Sequence, residues 1–250
     1  MLRSAKDLRN YTLKAIDGEL GHSRDLLFSD DAWVVRYLVA DTRKWLPGKR
    51  VLLSPLSIDR PQWRSQTVPV RLTKRQVRDA PDVAEDAPVS RQHEMDLARF
   101  YTLPLYWTGP ALWGASSSPY LPPEPAKPEN AAAASASRDG DPHLRSMREV
   151  TGYSIEASDG NVGHVDDFIV DDETWIIRYL VVDAGRWLNG RLVLVAPTWV
   201  THVDWGTRKV AMGIPRQAIA EGPQYDPHQP INREYETRLY DFHGRPFYWP

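Results

Sequence analysis

The chain has 250 residues, with 31 lysine and arginine against 33 aspartate and glutamate, a net charge of −2, and 42% hydrophobic residues. That length suits one large domain or two small ones, and near-balanced charge with ordinary apolar content excludes a wholly disordered chain. The absence of cysteine excludes disulfides, zinc-thiolate sites and cysteine nucleophiles, which fits a reducing compartment.

The opening stretch, MLRSAKDLRNYTLKAIDGELG, has no apolar run long enough for a signal peptide. Apolar runs elsewhere, such as Leu192 to Pro197, are strand-length, against the roughly 20 residues a membrane helix needs. The expected setting is cytoplasmic, with docking at the periphery of a membrane allowed. Leu20–Phe28 and Trp33–Asp41 are predicted strands around the loop Ser29-Asp30-Asp31-Ala32, a hairpin signal. A turn at Trp45–Lys49 leads to a third strand from Val51, and strands are expected over Ile58–Trp63 and Thr67–Leu72. Thr73 then caps a short helix.

In the second strand Trp33, Val35, Tyr37 and Val39 share one face, and Val34, Leu38 and Ala40 the other. Strands apolar on both faces predict a small closed barrel with something packed outside it. The following stretch supplies such a cover: Ser90 and Asn232 are helix caps, and Tyr235, Leu239 and Phe242 recur at helical spacing. The endings Pro104-Leu105-Tyr106-Trp107 and Pro246-Phe247-Tyr248-Trp249 are predicted to lay their aromatics on a barrel, of their own or the other copy.

Those pairs of features reflect an internal duplication. Residues 1–108 align with 143–250 at an offset of 142 without a gap, and 34 of the 108 pairs are identical. The densest block sets WVVRYLVADTRKWLPGKRVLLSP against WIIRYLVVDAGRWLNGRLVLVAP. The predicted organisation is a barrel over 1–81, a helical and aromatic tail over 82–108, a linker over 109–142, a second barrel over 143–223 and a second tail over 224–250. The linker holds seven of the 21 prolines with many Ala and Ser, and should be extended or disordered from about Ser116 to Asp139, with Trp113 and Tyr120 pinning its first half. The copies carry +4 and −4 and the linker −2, so opposite charge favours packing of the two copies within the chain.

The run from Asp17 through the hairpin to Pro55, and its match from Asp159 to Pro197, resembles the PRC-barrel family, named from the cytoplasmic domain of the photosynthetic reaction centre H subunit and also found in a ribosome-maturation factor. The resemblance covers about residues 4–80 and 146–222. It implies a mainly β fold of two small six-stranded barrels in tandem, and protein or RNA binding without a shared catalytic site.

Candidate sites are few. His22 and His164 stand in Gly-His-x-x-Asp, where they could bind a proton or a metal with Asp25 and Asp167, but positions i and i+3 of a strand face opposite ways, which favours a surface histidine. A symmetric four-residue hairpin loop sets Asp25 opposite Arg36 and Asp167 opposite Arg178, predicting two cross-strand ion pairs. Arg71, Lys74 and Arg75 make copy 1 locally basic, a patch for RNA or an anionic membrane surface. Trp107 and Trp249 are candidates for partner contact. No catalytic, cofactor or metal set is expected, and the Walker, zincin and nucleophile-elbow patterns do not occur. The sequence is read as a non-enzymatic protein-interaction or assembly module with an unidentified protein partner. The alternatives are an RNA- or ribosome-associated factor and a peripheral component of reaction-centre-type electron transfer.

Overall fold

The computed structural model describes residues 1–47, 49–81, 89–119, 143–185 and 190–250. The expectations for Gly48 in the turn, for the start of the first tail over 82–88, for Tyr120 and for the linker over 120–142 lie outside the described residues.

The first repeat runs β1 (Leu2–Ser4), α1 (Ala5–Leu8), β2 (Thr12–Ala15), β3 (Gly18–Ser29), β4 (Val34–Asp41), β5 (Val51–Leu53), β6 (Thr67–Pro69), α2 (Lys74–Asp79) and α3 (Arg91–Tyr101). The second runs β7 (Leu144–Ser146), α4 (Met147–Val150), β8 (Ser154–Ala157), β9 (Gly160–Asp171), β10 (Ile177–Asp183), β11 (Leu192–Val195), β12 (Val200–Asp204), β13 (Lys209–Met212), α5 (Arg216–Glu221) and α6 (Arg233–His243). The mainly β expectation holds, and the hairpin, the Thr73 capping box and the tail helices capped by Ser90 and Asn232 form where the sequence signals them.

One expected strand is missing in one copy only. Ile58–Trp63 contributes isolated bridges at Ile58 and Gln62, whereas its counterpart forms β12. Pro61 stands where the second repeat has Val203, and a proline cannot donate to a ladder.

The chain folds into two compact units whose boundaries cross the repeat boundaries. The first-repeat unit is Asp7–Ser146 with Asp172–Ile176; the second-repeat unit is Met1–Lys6, Met147–Asp171 and Ile177–Pro250. The first-repeat sheet has the order β5-β4-β3-β2-β6, with β7 added antiparallel on β3. The second-repeat sheet has the order β11-β10-β9-β8-β13-β12, with β1 added antiparallel on β9. Each sheet therefore takes a strand from the head of the other repeat.

The closed barrels of the sequence reading are corrected to open hydrogen-bonded paths. In the second-repeat sheet the ends of the path, β11 and β12, are consecutive in the chain and are joined by a 3-10 turn at Pro197–Trp199. Pro55–Ser57 makes the same turn after β5. Proline starts each turn, lacks an N–H, and interrupts the ladder at that corner.

Both hairpins share a geometry that the loop length alone does not reveal. Trp33 and Trp175 sit in the left-handed region, at φ 54° and 62°. Ser29 pairs with Val34 and Phe28 with Val35, but Leu27 pairs with Tyr37, leaving Arg36 as the extra residue of a β-bulge. Arg178 occupies the same bulge between Ile177 and Tyr179. Asp25 consequently faces Val39, and Asp167 faces Val181, so the expected Asp25–Arg36 and Asp167–Arg178 pairing is replaced by other partners for all four residues. At the far end of β3, Gly21 has φ +125°, and a Cβ there would lie 1.9 Å from the Asp41 carbonyl oxygen; Gly163 meets Asp183 in the same way at 2.0 Å. This close approach of backbones accounts for the glycine before each histidine.

Candidate functional site: two buried glutamate networks

A helix that covers a sheet presents apolar residues to it, yet α3 turns Glu94 inward together with Met95, Leu97 and Ala98. The Glu94 side chain is 0% exposed. Such a carboxylate is tolerated only when its oxygens are hydrogen-bonded. Arg91, one turn earlier, donates to Oε2 at 3.2 Å, the Tyr106 hydroxyl donates to Oε1 at 2.9 Å, and the His143 Nε2 lies 2.5 Å from Oε2. Arg91 also donates to the Tyr106 oxygen at 2.7 Å. Burial, with the Glu94 carboxylate next, holds the phenols of Tyr37 and Tyr106 well above their ordinary pKa.

The bulge aims Arg36 into the same cluster. Its guanidinium carbon lies 3.8 Å from the Tyr106 ring centre and 4.9 Å from that of Trp113, its Nη1 donates to the Leu112 carbonyl at 2.5 Å, and its Nε donates to Ser29 at 3.2 Å. Burial lowers the pKa of this guanidinium below the usual arginine value. Trp113 is buried and donates to the Thr174 carbonyl at 3.0 Å, so the first part of the linker is pinned as its aromatic content suggested. Trp107 is half-buried, with the Arg91 guanidinium 4.4 Å over its ring.

The second-repeat unit repeats the arrangement at the matching positions. Glu236 on α6 is buried and receives the hydroxyls of Tyr179 and Tyr248, each at 2.7 Å, and Arg233 at 3.1 Å. The Arg178 guanidinium carbon stands 4.0 Å over the Tyr248 ring and its Nη2 lies 3.7 Å from Asp171. Arg233 lies 4.1 Å over Trp249. Burial raises the Tyr179 and Tyr248 phenols as well. The tails thus pack through arginine–aromatic stacking on the sheet of their own repeat. The helical spacing is corrected at one position: Leu239 is buried, but Phe242 is 47% exposed, and Tyr240 takes the inward place.

Sequence reasoning passed over Glu94 and Glu236, together with Arg91, Arg233, Tyr37 and Tyr179. A usable signal existed in the alignment. Glutamate recurs in both copies three residues before a leucine on the apolar face of a capped helix.

The remaining candidates do not converge. His22 is exposed and Asp25 buried, but the spacing argument for opposite faces is corrected: the register shift between Ser23 and Asp25 sets them opposite Asp41 and Val39, two positions that share a face of β4. His22 sits across from Asp41, whose carboxyl is engaged by Arg43 and thereby lowered to about 2. His164 is exposed, 4.0 Å from Asp183. Asp25 and Asp167 each accept a serine hydroxyl from the added strand, Ser146 and Ser4 respectively, both at 2.5 Å. Arg71 donates to the Leu56 carbonyl at 2.7 Å and lies 3.6 Å from Asp59; Lys74 stands 4.7 Å over Trp45; Arg75 lies 3.6 Å from Asp79 with its side chain 85% exposed. Among the described residues no three histidine or carboxylate side chains form a metal-ligand group, and no helix is long and apolar enough to cross a membrane. No family model matches the chain, and no curated protein matches it.

Proposed function

We propose that the chain is a non-enzymatic module for protein interaction and assembly, built from two repeats whose sequence resembles the PRC-barrel family and whose sheets are open. One observation carries this reading. Phe100 and Phe242 occupy equivalent positions on α3 and α6 and are 40% and 47% exposed, on helices whose inner faces are fixed by the glutamate networks. A single exposed phenylalanine is ordinary, but the same one at the same place in both repeats supports a used surface. The partner it fits is a protein presenting apolar side chains to a rigid helix face. The buried hydroxyl, guanidinium and carboxylate groups of the two networks satisfy one another, which supports a structural part for them.

The test uses full-length tagged protein and the Phe100→Ser/Phe242→Ser variant, crosslinked in the source cell and mapped by mass spectrometry. The expected result is a discrete protein crosslinked near α3 or α6 in the wild type and lost in the variant, with an unchanged melting temperature. Identical crosslinks from both proteins would overturn the reading. Recovery of RNA in a salt-sensitive complex, lost on Arg75→Ala, would favour the RNA-binding alternative.

A further inference from the structure

The strands added to the two sheets have the same sequence, Leu-Arg-Ser, at 2–4 and at 144–146. They also enter in the same register. Leu2, Arg3 and Ser4 pair with Asp171, Val170 and Ile169; Leu144, Arg145 and Ser146 pair with Ser29, Phe28 and Leu27, the matching positions of the other repeat. In both places a buried aspartate reads the serine: Asp167 accepts from Ser4 Oγ and from the Lys6 backbone N–H at 3.0 Å, and Asp25 accepts from Ser146 Oγ. In the first-repeat unit Leu144 packs on the core cluster of Leu27, Tyr37, Val39, Leu52 and Leu97, and Arg145 donates to Asp30 at 2.9 Å.

The chain thus carries two copies of one ligand strand and two copies of one receptor slot, each ligand seated in the slot of the other repeat. Nothing in a slot distinguishes a strand of its own chain from the identical strand of another. The strands are three residues long and only half-buried, the kind of element that opens locally at low cost. Exchange between two copies is reciprocal, so it closes with every slot filled.

We propose that this chain self-associates by strand exchange, with Leu2–Ser4 of one copy seated on β9 of a second copy. The inference is independent of the partner-binding reading above, because it needs no surface other than the sheet edges already in use. A donor on the same chain acts at an effective concentration on the order of millimolar, so the exchanged dimer should grow with protein concentration.

The absence of native cysteine makes the test direct. Leu2→Cys is placed in one preparation of the full chain and Asp171→Cys in another, the two residues being cross-strand partners. The preparations are mixed at high concentration, equilibrated, oxidised and run on a non-reducing gel. A mixture of Leu2→Cys with Ile16→Cys, at a position 71% exposed, controls for random collision. The expected result is a covalent dimer several-fold more abundant than in the control and increasing with concentration, while a chain carrying both Leu2→Cys and Asp171→Cys closes on itself when dilute. Closure within the double variant, with no more dimer from the mixture than from the control, would overturn the proposal. Failure of the double variant to close would overturn it too, by contradicting the register.

Discussion

Glu94 is the residue on which the first-repeat tail depends. Removing one member of a buried charged network leaves the others uncompensated, which costs about 3–5 kcal/mol. Glu94→Ala should therefore destabilise the protein by that order in urea titration, and Tyr106→Phe by less, with a non-additive double variant because the two side chains share a hydrogen bond. Asp167 yields a prediction in pH. Burial raises its carboxyl pKa, against smaller opposing effects from Ser4, Phe168 and Lys6. A carboxyl whose folded pKa is raised favours the fold in its protonated form, and that advantage is lost as pH rises through the folded value. Asp167→Asn keeps an acceptor for Ser4 and removes the charge. Relative to wild type, its stability should match below the ordinary carboxylate pKa of about 4 and improve as pH rises through the raised value. Urea titrations across that range check this; a difference that stays constant, or moves against asparagine, would contradict it.

The elements divide into those readable from local pattern and those set by backbone geometry. The hairpin strands, the Thr73 helix cap and the tail helices were legible because β-branched runs and capping residues act within a few positions. The register was not. Counting across a loop at 29–32 sets Asp25 opposite Arg36, whereas Ser29 pairs with Val34, so the loop covers 30–33 with Trp33 at a positive φ that is rare for a bulky residue, and the bulge at Arg36 moves the register by one residue more; Trp175 and Arg178 repeat the positive φ and the bulge in the second hairpin. Pro61 could have been weighed against the strand over Ile58–Trp63 and was decisive there. Glu94 and Glu236 escaped because a glutamate on a helix reads as solvent-facing until its partners, 12 residues further on in Tyr106 and Tyr248, are placed beside it. The second tail can be tested as an element. It buries Leu239 and Tyr240 and supplies Tyr248 to Glu236. Each fully buried side chain of this kind contributes roughly 1.5–3 kcal/mol. A chain ending at Pro223 should melt at lower temperature and bind more hydrophobic dye than the full chain; an unchanged melt without added dye binding would mean the tail is a loose appendage.

Taken together, the chain is two units, each completed by a strand from the opposite repeat. The duplication was plain in the sequence, and the Leu-Arg-Ser triplet was among its identities, but three residues carry no signal for which of two equivalent sheets they join. Only the fold assigns them. That assignment is the central claim, and a double-mutant cycle on Ser4 and Asp167 tests it most directly, because these residues belong to different repeats and meet through one side-chain hydrogen bond. Stability is measured by urea titration for wild type, Ser4→Ala, Asp167→Ala and the double variant. A hydrogen bond to a charged group is worth about 1.5–3 kcal/mol, and residues in direct contact couple rather than add. The account predicts a coupling energy of about 1 kcal/mol or more; effects that add within about 0.3–0.5 kcal/mol, as for distant independent sites, would contradict it.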